Sequence, residues 1–474
     1  MPMATILEGC LALVVILLFG SAVILSQSRD RLRRVSECLL LGPFALLLSM
    51  EVLTLCGIAL TRTSVACSAA ALAVAGLVLR RRRGPDVDWT VPTIHDRAPL
   101  LVGGFLTLLV ALFSFDQPIL VSDPVTIYAP PAVLYAEHGR LDPRLLARVV
   151  DPQHLDYPPL FTASYAWVFI ASGGYDGWLV KLLGPLYFAG LLLEMLALCR
   201  QHGARAPLLW TLIPALAPIT LKASTSGFAD IAVTAYLAGG LSSLCAWKRT
   251  GGRRDLLRSA LMLAAAAATK NEGAALAVLF LFLGTSTIGR RANPSPPEGS
   301  RGGRARLGVP GAWGLLLLLN VPWYWAVRAL GFENDLVEGV SEVGIREALS
   351  RVPVVARFFF DQLFLHPSDL CRWFPMQGLL YPLAAFSLFV ALIKGGRTLL
   401  KWKALVLPAQ LLLFFAVFLF TYQDVRWHLD TSLPRLLLQC FPAALLFCVS
   451  ILGADSIAAD AVGRHSRESG NPGP

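Results

Sequence analysis

Long apolar blocks recur along the whole chain, and they restrict its fold more than any other feature of the sequence. Hydrophobic residues make up 55% of the chain and charged residues 15%, whereas a soluble protein carries about 25% charged residues. We interpret thirteen blocks as helices that cross a hydrocarbon layer roughly 30 Å thick. They lie at residues 5–26, 38–60, 65–79, 99–115, 178–199, 207–222, 228–247, 256–270, 273–288, 311–330, 379–393, 404–421 and 435–453. The sequence therefore predicts an all-α, polytopic integral membrane protein with about 13 transmembrane helices, within a range of about 12–14.

A further apolar block, 160–172, is too short to span the bilayer comfortably and follows Pro158 and Pro159. Three interpretations of it are open: a re-entrant helix, a surface helix and a fourteenth span. A fourteenth span would place basic loops on both sides of the membrane, so the distribution of charge favours thirteen.

Basic residues concentrate in short clusters between the apolar blocks, for example Arg80 to Arg83 and Lys248 to Arg254. Cytoplasmic loops carry an excess of Lys and Arg, and with thirteen spans all the large clusters fall on one side. We therefore predict a multi-pass protein of the plasma (inner) membrane whose two long loops, 116–177 and 331–378, lie outside. Scattered clusters of this kind favour contact with anionic membrane lipids over binding of nucleic acid, despite the net charge of +10.

Three segments follow from this topology. Residues 1–98 are predicted to form N-terminal transmembrane helices, and residues 99–453 a transmembrane module that carries both long loops. Residues 454–474 are predicted to be a disordered cytoplasmic tail. Any chemistry is expected on the outer, periplasmic face.

Carboxylates collect in the first outer loop, and each has more than one interpretation. Asp123 precedes Pro124, a pattern typical of a helix N-cap as well as of a functional acid. Asp116 stands where the fourth span ends, a common place for a solvated carboxylate. The end of the same loop contains His154, Asp156 and Tyr157.

Three further outer corners carry charge. Asp230 begins the seventh span, Lys270 and Glu272 lie in the turn between spans eight and nine, and the last loop leads into span thirteen with Arg426, His428 and Arg435. A helix cap, a solvated hairpin tip and a snorkelling arginine are the structural alternatives. Because a charge near hydrocarbon costs free energy, the convergence of these groups on one face indicates a site.

A metal at this face is left open. Glu137, His138, His154 and Asp156 have the right chemistry but lack the i, i+4 spacing of a helical metal site. The nine cysteines show no CxxC spacing. The identity of a metal ligand set is therefore unknown, and a divalent metal stays open as a cofactor.

Several loop motifs resemble those of one family. The run from Asp123 through Tyr128 and Ala132 to Gly139 resembles the first extracytoplasmic loop of the type-C (GT-C) glycosyltransferases, which include protein mannosyltransferases and lipid A aminoarabinose transferases. The run from His154 to Pro159 is similar to the Tyr/Pro-Pro motif that closes that loop. Later positions are similar at Thr269–Lys270–Asn271–Glu272–Gly273 and at Ser432, Arg435 and Pro442.

The resemblance implies a GT-C-like catalytic module in residues 99–453 and a hexosyl or pentosyl transferase activity. Such enzymes take a sugar from a polyprenyl-phosphate donor and pass it to a lipid, glycan or protein acceptor outside the membrane. It implies Asp123 as the general base, with Asp116 and Asp156 as alternative catalytic carboxylates. Lys270 and Arg435 are the candidates for the donor phosphate. The further substrate-binding candidates are Tyr128, His154, Tyr157, Asp230, Glu272, Arg372, Arg426 and His428.

Two other functions are compatible with the sequence. A polytopic transporter or a flippase for lipid-linked sugars would place polar residues near the middle of the membrane, in broken or repeated helices. Here the charges lie mostly at helix ends, and no two-fold repeat is evident. An O-antigen polymerase or ligase is the second alternative, since such enzymes also use lipid-linked sugars.

Overall fold

The fold is a bundle of helices of very different lengths. The computed structural model describes residues 3–23, 31–81, 94–116, 118–121, 123–150, 153–286, 302–332, 334, 339, 341–366, 375–394 and 401–452. In these residues the regular elements are all helical, which confirms the predicted all-α class. The Arg372 candidate and the predicted tail 454–474 lie outside the described residues.

The α-helices are α1 (Met3–Val23), α2 (Arg31–Leu55), α3 (Arg62–Arg81), α4 (Ile94–Ser114), α5 (Ala129–His138), α6 (Leu160–Ser172), α7 (Leu183–Gln201), α8 (Pro207–Ala215), α9 (Pro218–Ser226), α10 (Asp230–Thr250), α11 (Arg253–Ala267), α12 (Asn271–Ser286), α13 (Gly302–Ala329), α14 (Ile345–Phe360), α15 (Leu380–Ile393), α16 (Trp402–Leu419), α17 (Val425–Gln439) and α18 (Phe441–Leu452). Short π-helical turns cover Pro124–Tyr128 and Asp361–Leu365, and 3₁₀ turns cover Pro143–Arg148 and Leu179–Leu182.

A helix lies at each of the thirteen predicted apolar blocks, but the number of spans is smaller by length and composition. Five helices of the described residues are long and apolar enough to cross a membrane, namely α2, α3, α4, the α7 region from Leu179 to Gln201, and α16. Two bent pairs, α8 with α9 and α17 with α18, raise that number to seven. The protein is thus a multi-pass membrane protein, and the count of thirteen stays a prediction.

The bends have an identifiable cause. The axes of α8 and α9 differ by 64°, and those of α17 and α18 by 47°. Pro218 is the first residue of α9 and Pro442 the second residue of α18. A proline donates no backbone hydrogen bond and clashes with the preceding turn. Each apolar block is therefore divided into two helices, and the break in the second pair follows directly after the helix that carries Arg435.

Helix α6 lies in the centre of the bundle. Its 13 residues extend for about 20 Å, and nearly all of them are buried against α1, α2 and α5. Trp167 donates from its indole nitrogen to the carbonyl oxygen of Ala12 in α1 at 3.1 Å. The surface-helix interpretation of block 160–172 is therefore wrong. Residues of α1 and α2 belong to the same continuous apolar core as α6, α7, α10, α11 and α18.

Close helix contacts place the charged corners. A Cβ atom added to Gly273 at the start of α12 would lie 2.1 Å from the carbonyl oxygen of Ala266 in α11. Only glycine permits this approach, and it tightens the α11–α12 turn so that Lys270 is 3% exposed. The hairpin thus directs its lysine into the protein.

A buried charge cluster joins three helices near the start of α11, away from the Lys270 turn. Arg258 of α11 lies between Glu37 of α2 and Glu194 of α7, and all three side chains are at most 1% exposed. The Arg258 Nε atom is 2.7 Å from Glu37 Oε1, a second guanidinium nitrogen pairs with Glu194, and Nη1 donates to Ser243 Oγ at 2.6 Å. Such a cluster fixes the relative positions of its helices, because any partner left alone would be a buried unpaired charge.

Candidate active site

Four segments that are far apart in the sequence meet at one end of the bundle. Asp123 comes from the first predicted outer loop, Asp230 from the start of α10, Lys270 from the α11–α12 turn and Arg435 from α17. The Arg435 Nη1 atom bonds Asp123 Oδ2 and lies 3.9 Å from Asp230 Oδ2. The Lys270 Nζ atom is 3.2 Å from Asp230 Oδ1 and 3.6 Å from Glu272 Oε1. The result is a continuous chain of alternating charges.

Asp123 is not the helix cap that its sequence also allowed. Its side chain makes no capping hydrogen bond to the π-helical turn that begins at Pro124, and it instead accepts from Arg435. Asp142, which also precedes a proline, does act as a cap and accepts from the backbone nitrogen of Arg144 at 3.0 Å. The hydrogen bond from the Arg144 side chain lowers the pKa of the Asp142 carboxyl.

Asp230 and Lys270 form the buried centre of the chain of charges. They are 1% and 3% exposed, so the interpretation of Lys270 as a solvated hairpin tip is wrong. Gln439 donates a further hydrogen bond to Asp230 Oδ1 at 2.9 Å. The carboxylates of Asp230 and Glu272 lie beside the ammonium group of Lys270 and favour its charged form. The lysine therefore carries its charge at neutral pH.

Aromatic side chains form one wall of the site. Tyr128 packs edge-on against Phe161 with ring centroids 5.0 Å apart, and His154 stacks on Tyr157 at 4.8 Å. The Lys270 Nζ atom lies 5.7 Å from the centre of the Tyr157 ring. Burial raises the pKa values of the Tyr128 and Tyr157 hydroxyls well above that of an ordinary tyrosine, and the nearby carboxylates raise them further. Both phenols therefore keep their protons.

Several buried polar atoms in the site have no hydrogen-bond partner among the described residues, among them Asn271 Oδ1 and Gln439 Oε1. Two others are the Tyr128 hydroxyl and Glu272 Oε2. A buried polar atom left unsatisfied costs about 1–3 kcal/mol. Both atoms therefore favour water or a hydroxylated ligand beside them.

Asp156 lies next to this wall and connects three segments. Its Oδ2 atom accepts from Nδ2 of Asn271 and, at 2.8 Å, from Nδ2 of Asn334. The indole of Trp323 donates to its backbone oxygen at 3.3 Å. These bonds hold the end of the first outer loop against α12, α13 and the segment that follows α13. Asp156 as a catalytic carboxylate stays a prediction.

The remaining candidates lie apart from the chain of charges. Asp116 is exposed at the end of α4, with Lys181 as its electrostatic neighbour. Arg426 lines an open cavity of about 420 Å³ together with Arg351. The ring of His428 bonds Thr421 Oγ1 through Nδ1 at 2.8 Å.

No group of three or more His, Cys, Asp or Glu residues in the described part of the chain is arranged to hold a metal ion. Of the four residues considered for a metal, His138 lies 3.1 Å from Arg148, and Asp156 accepts from the two asparagines. A metal role for these residues therefore has no geometric support, and the identity of any cofactor stays open.

Gln439 and Asn334 are site residues that the sequence did not single out. Gln439 follows Arg435 by four positions on α17, so the two side chains occupy the same face of the helix. That spacing was the available signal. Asn334 follows the end of α13, and no local pattern connects it to Asp156.

The helices and the buried charges define a multi-pass membrane protein with a polar site at one end of its bundle. No protein-family model matches the sequence, and no curated protein matches it significantly. Among solved structures, the fold is similar to the crystal structure of ArnT from Cupriavidus metallidurans bound to undecaprenyl phosphate. This match has a TM-score of 0.37 and 16% sequence identity, and it covers 77% of this chain and 78% of that chain. The function proposed below rests on the geometry of the site.

Proposed function

We propose that this protein is a membrane glycosyltransferase that moves a sugar from a polyprenyl-phosphate donor to an acceptor hydroxyl, with Asp123 as the general base. The observation that carries the proposal is the chain of alternating charges from Asp123 through Arg435 and Asp230 to Lys270. A carboxylate and two cations at one helix-bundle end provide the groups that this reaction needs.

The reaction requires two movements of charge. The acceptor oxygen attacks the anomeric carbon while the bond from that carbon to the phosphate oxygen breaks, and the electron pair leaves with the polyprenyl phosphate. The hydroxyl proton passes to Asp123. Arg435 and Lys270 stabilise the negative charge that grows on the phosphate, an effect that is strong where water is excluded.

The surplus of carboxylates over cations in the site gives donor binding a second role. Three carboxylates, Asp123, Asp230 and Glu272, face two cations, so an incoming phosphate competes with a carboxylate for its partner. Of the two carboxylates near Arg435, Asp123 is the exchangeable one, because its side chain is 15% exposed whereas that of Asp230 is 1% exposed. Donor phosphate on Arg435 then frees Asp123 to accept the proton.

The aromatic wall supports binding of a sugar. Protonated Tyr128 and Tyr157 offer hydroxyl donors beside the cations, and aromatic faces suit the apolar faces of a pyranose ring. The site faces the periplasm in the topology that the basic clusters predict, and the acceptor is a lipid, glycan or protein there. Charges at helix ends favour an enzyme over a transporter.

The replacement Asp123→Asn tests the proposal. Asparagine keeps the shape of the side chain and a hydrogen bond to Arg435, but it does not take up the proton. We expect turnover to fall by roughly 10²–10⁴-fold, while donor affinity changes much less, since the loss falls mainly on the transition state. The measurement is the transfer of labelled sugar from a polyprenyl-phosphate donor by the purified protein.

Asp142→Asn is the matched control, because Asp142 also precedes a proline and serves as a cap, and asparagine caps equally well. Its turnover should equal that of the unmodified protein. Asp116→Asn distinguishes the two loop carboxylates. Normal turnover in Asp123→Asn, with a large loss in Asp116→Asn, would transfer the role of base to Asp116.

A further inference from the structure

Helix α14 carries a strip of exposed apolar side chains along one flank. Ile345, Leu349 and Phe360 are 74%, 65% and 55% exposed, and Ala356 is exposed as well. At 3.6 residues per turn, these four positions lie within about 60° of one another around the helix axis. Helix α14 belongs to the predicted outer loop 331–378 and is not one of the described helices that are long and apolar enough to cross a membrane. An apolar strip outside the spans therefore needs its own explanation.

A different face of α14 packs against the bundle. Ala348, Val355 and Phe359 are buried, and the helix contacts α16 and α17. The ring of Phe359 lies 5.4 Å from that of Phe415 and 6.1 Å from that of Phe418, both in α16. The three buried positions are about a quarter of a turn away from the strip. The strip therefore faces to the side of this contact.

The end of α16 gives the level of α14 relative to the membrane. The candidate span Trp402–Leu419 has 18 residues, so it extends for about 27 Å, close to the roughly 30 Å of the hydrocarbon layer. Leu419 therefore lies near the boundary of the hydrocarbon. The Arg351 Nη1 atom of α14 donates to the carbonyl oxygens of Leu419 at 3.2 Å and of Thr421 at 2.5 Å. The middle of α14 thus lies at this boundary, and Phe415, the neighbour of Phe359, lies about 6 Å deeper along α16.

The charged side chains of α14 lie away from the strip. Arg346 and Arg357 are exposed at the edge of the strip that points away from the bundle, and Arg357 also lies 3.8 Å from Asp361. Glu347, which is 57% exposed, lies opposite the strip, and Ser350 lines the open cavity shared with the start of α17. An apolar flank, cations at its edge and a polar flank opposite are the parts of a helix that lies in a membrane surface.

We propose that α14 is an interfacial helix, embedded in the membrane surface at the end of α16. Its strip contacts the acyl chains of phospholipids, and Arg346 and Arg357 lie beside lipid phosphates. Helices of this kind bury their apolar face by about 5–10 Å, and the contact of Phe359 with Phe415 lies at a comparable depth. The predicted outer loop 331–378 thus returns to the membrane surface between two spans. This inference does not depend on the proposed transferase activity.

Spin labels on single cysteines in the full chain, reconstituted in nanodiscs of phosphatidylethanolamine and phosphatidylglycerol, test the proposal. The background has serine in place of Cys10, Cys56, Cys67 and Cys371. Ala356→Cys places the label on the strip, and Ser350→Cys is the matched control on a polar flank. Oxygen concentrates in hydrocarbon and a nickel chelate stays in water, and both relax the label. We expect oxygen to act more strongly than the chelate at position 356 and less strongly at position 350.

Two further labels complete the test. Leu412→Cys on α16, at a position that is 68% exposed and about 10 Å deeper than Leu419, should show a still larger excess of the oxygen effect. Leu349→Cys is a second strip position and should rank the two agents as position 356 does, even if the first label disturbs the helix. A stronger effect of the chelate at both strip positions would place the strip in water and overturn the proposal. Shielding from both agents, with spectral broadening that disappears on dilution with unlabelled protein, would assign the strip to a second copy of the chain and overturn it as well.

Discussion

Arg435 is the residue on which the arrangement of charges in the site depends. Its guanidinium contacts Asp123 from one element and lies near Asp230 from another, and its flat face lies 5.2 Å from the ring of Phe228. A planar group with five donors serves two carboxylates at once, which an ammonium group does less well. Shape as well as charge therefore matters at this position.

The variant Arg435→Lys separates these two properties. It keeps the positive charge near Asp230, so the unfolding temperature should remain close to that of the unmodified protein. It loses the fork that reaches Asp123, so turnover should fall by about tenfold or more. Transfer assays and thermal unfolding on the same preparation measure both effects. Arg426→Lys is the comparison on the same helix, and it should leave turnover unchanged because Arg426 lies outside the chain of charges.

Two Asp–Pro pairs show that local sequence predicts a helix cap but does not predict a contact between distant residues. Asp123 and Asp142 have the same local pattern, and it correctly predicts the cap at Asp142. The partner of Asp123 lies 312 residues further along the chain, so its pairing depends on how α17 packs. Lys270 and Arg435 were selected because their motifs resemble those of a known family. Asn334 lies in no such motif, and its local sequence did not indicate a role in the site.

At the scale of elements, helix positions were predictable and helix packing was not. Block 160–172 corresponds to α6, and the tight turn at Lys270 to the α11–α12 hairpin, because apolar composition and turn residues act locally. The bends at Pro218 and Pro442 divided two predicted spans. Glu37, Glu194 and Arg258 are buried only because three helices meet. The sequence of any one of these helices does not predict this contact.

Removal of Arg258 tests how strongly that cluster holds its helices. Arg258→Met leaves two buried carboxylates without the guanidinium that neutralises them, and we expect the free energy of unfolding to fall by about 3–5 kcal/mol. Arg33→Met is the control, since its pair with Asp255 is partly exposed and should cost about 1 kcal/mol or less. Denaturation in detergent gives both values. Adding Glu37→Gln and Glu194→Gln to Arg258→Met should restore part of the stability, and a further decrease would contradict the role given to the cluster.

For the whole molecule, the prediction to test is that the end of the bundle with the site faces away from the cytoplasm. The site includes the first residue of α10, Asp230, and the basic clusters predict that the other end of α10, which carries Lys248 and Arg249, faces inward. The native cysteines Cys10, Cys56 and Cys67 are exposed, so a labelling experiment needs these, together with Cys371, replaced by serine.

In that background, a cysteine at Val150 should react with a membrane-impermeant reagent in intact cells. One at Arg254 should react only after the membrane is opened. Both native side chains are exposed, so access to the reagent depends on the side of the membrane. Labelling of Arg254→Cys alone in intact cells would place the site in the cytoplasm and remove the periplasmic acceptor from the proposed function.

The position of α6 has a consequence for biosynthesis. This helix bears Phe161 and Tyr165, which support the aromatic wall, yet it is enclosed by α1 and α2. A chain that starts at residue 99 would retain every charged group of the site, but α6 would lose the neighbours that shield it from lipid. Helices α1 and α2 thus act as a scaffold for the end of the bundle that holds the site, and a separately expressed segment 1–98 should restore the proposed activity to the shortened chain.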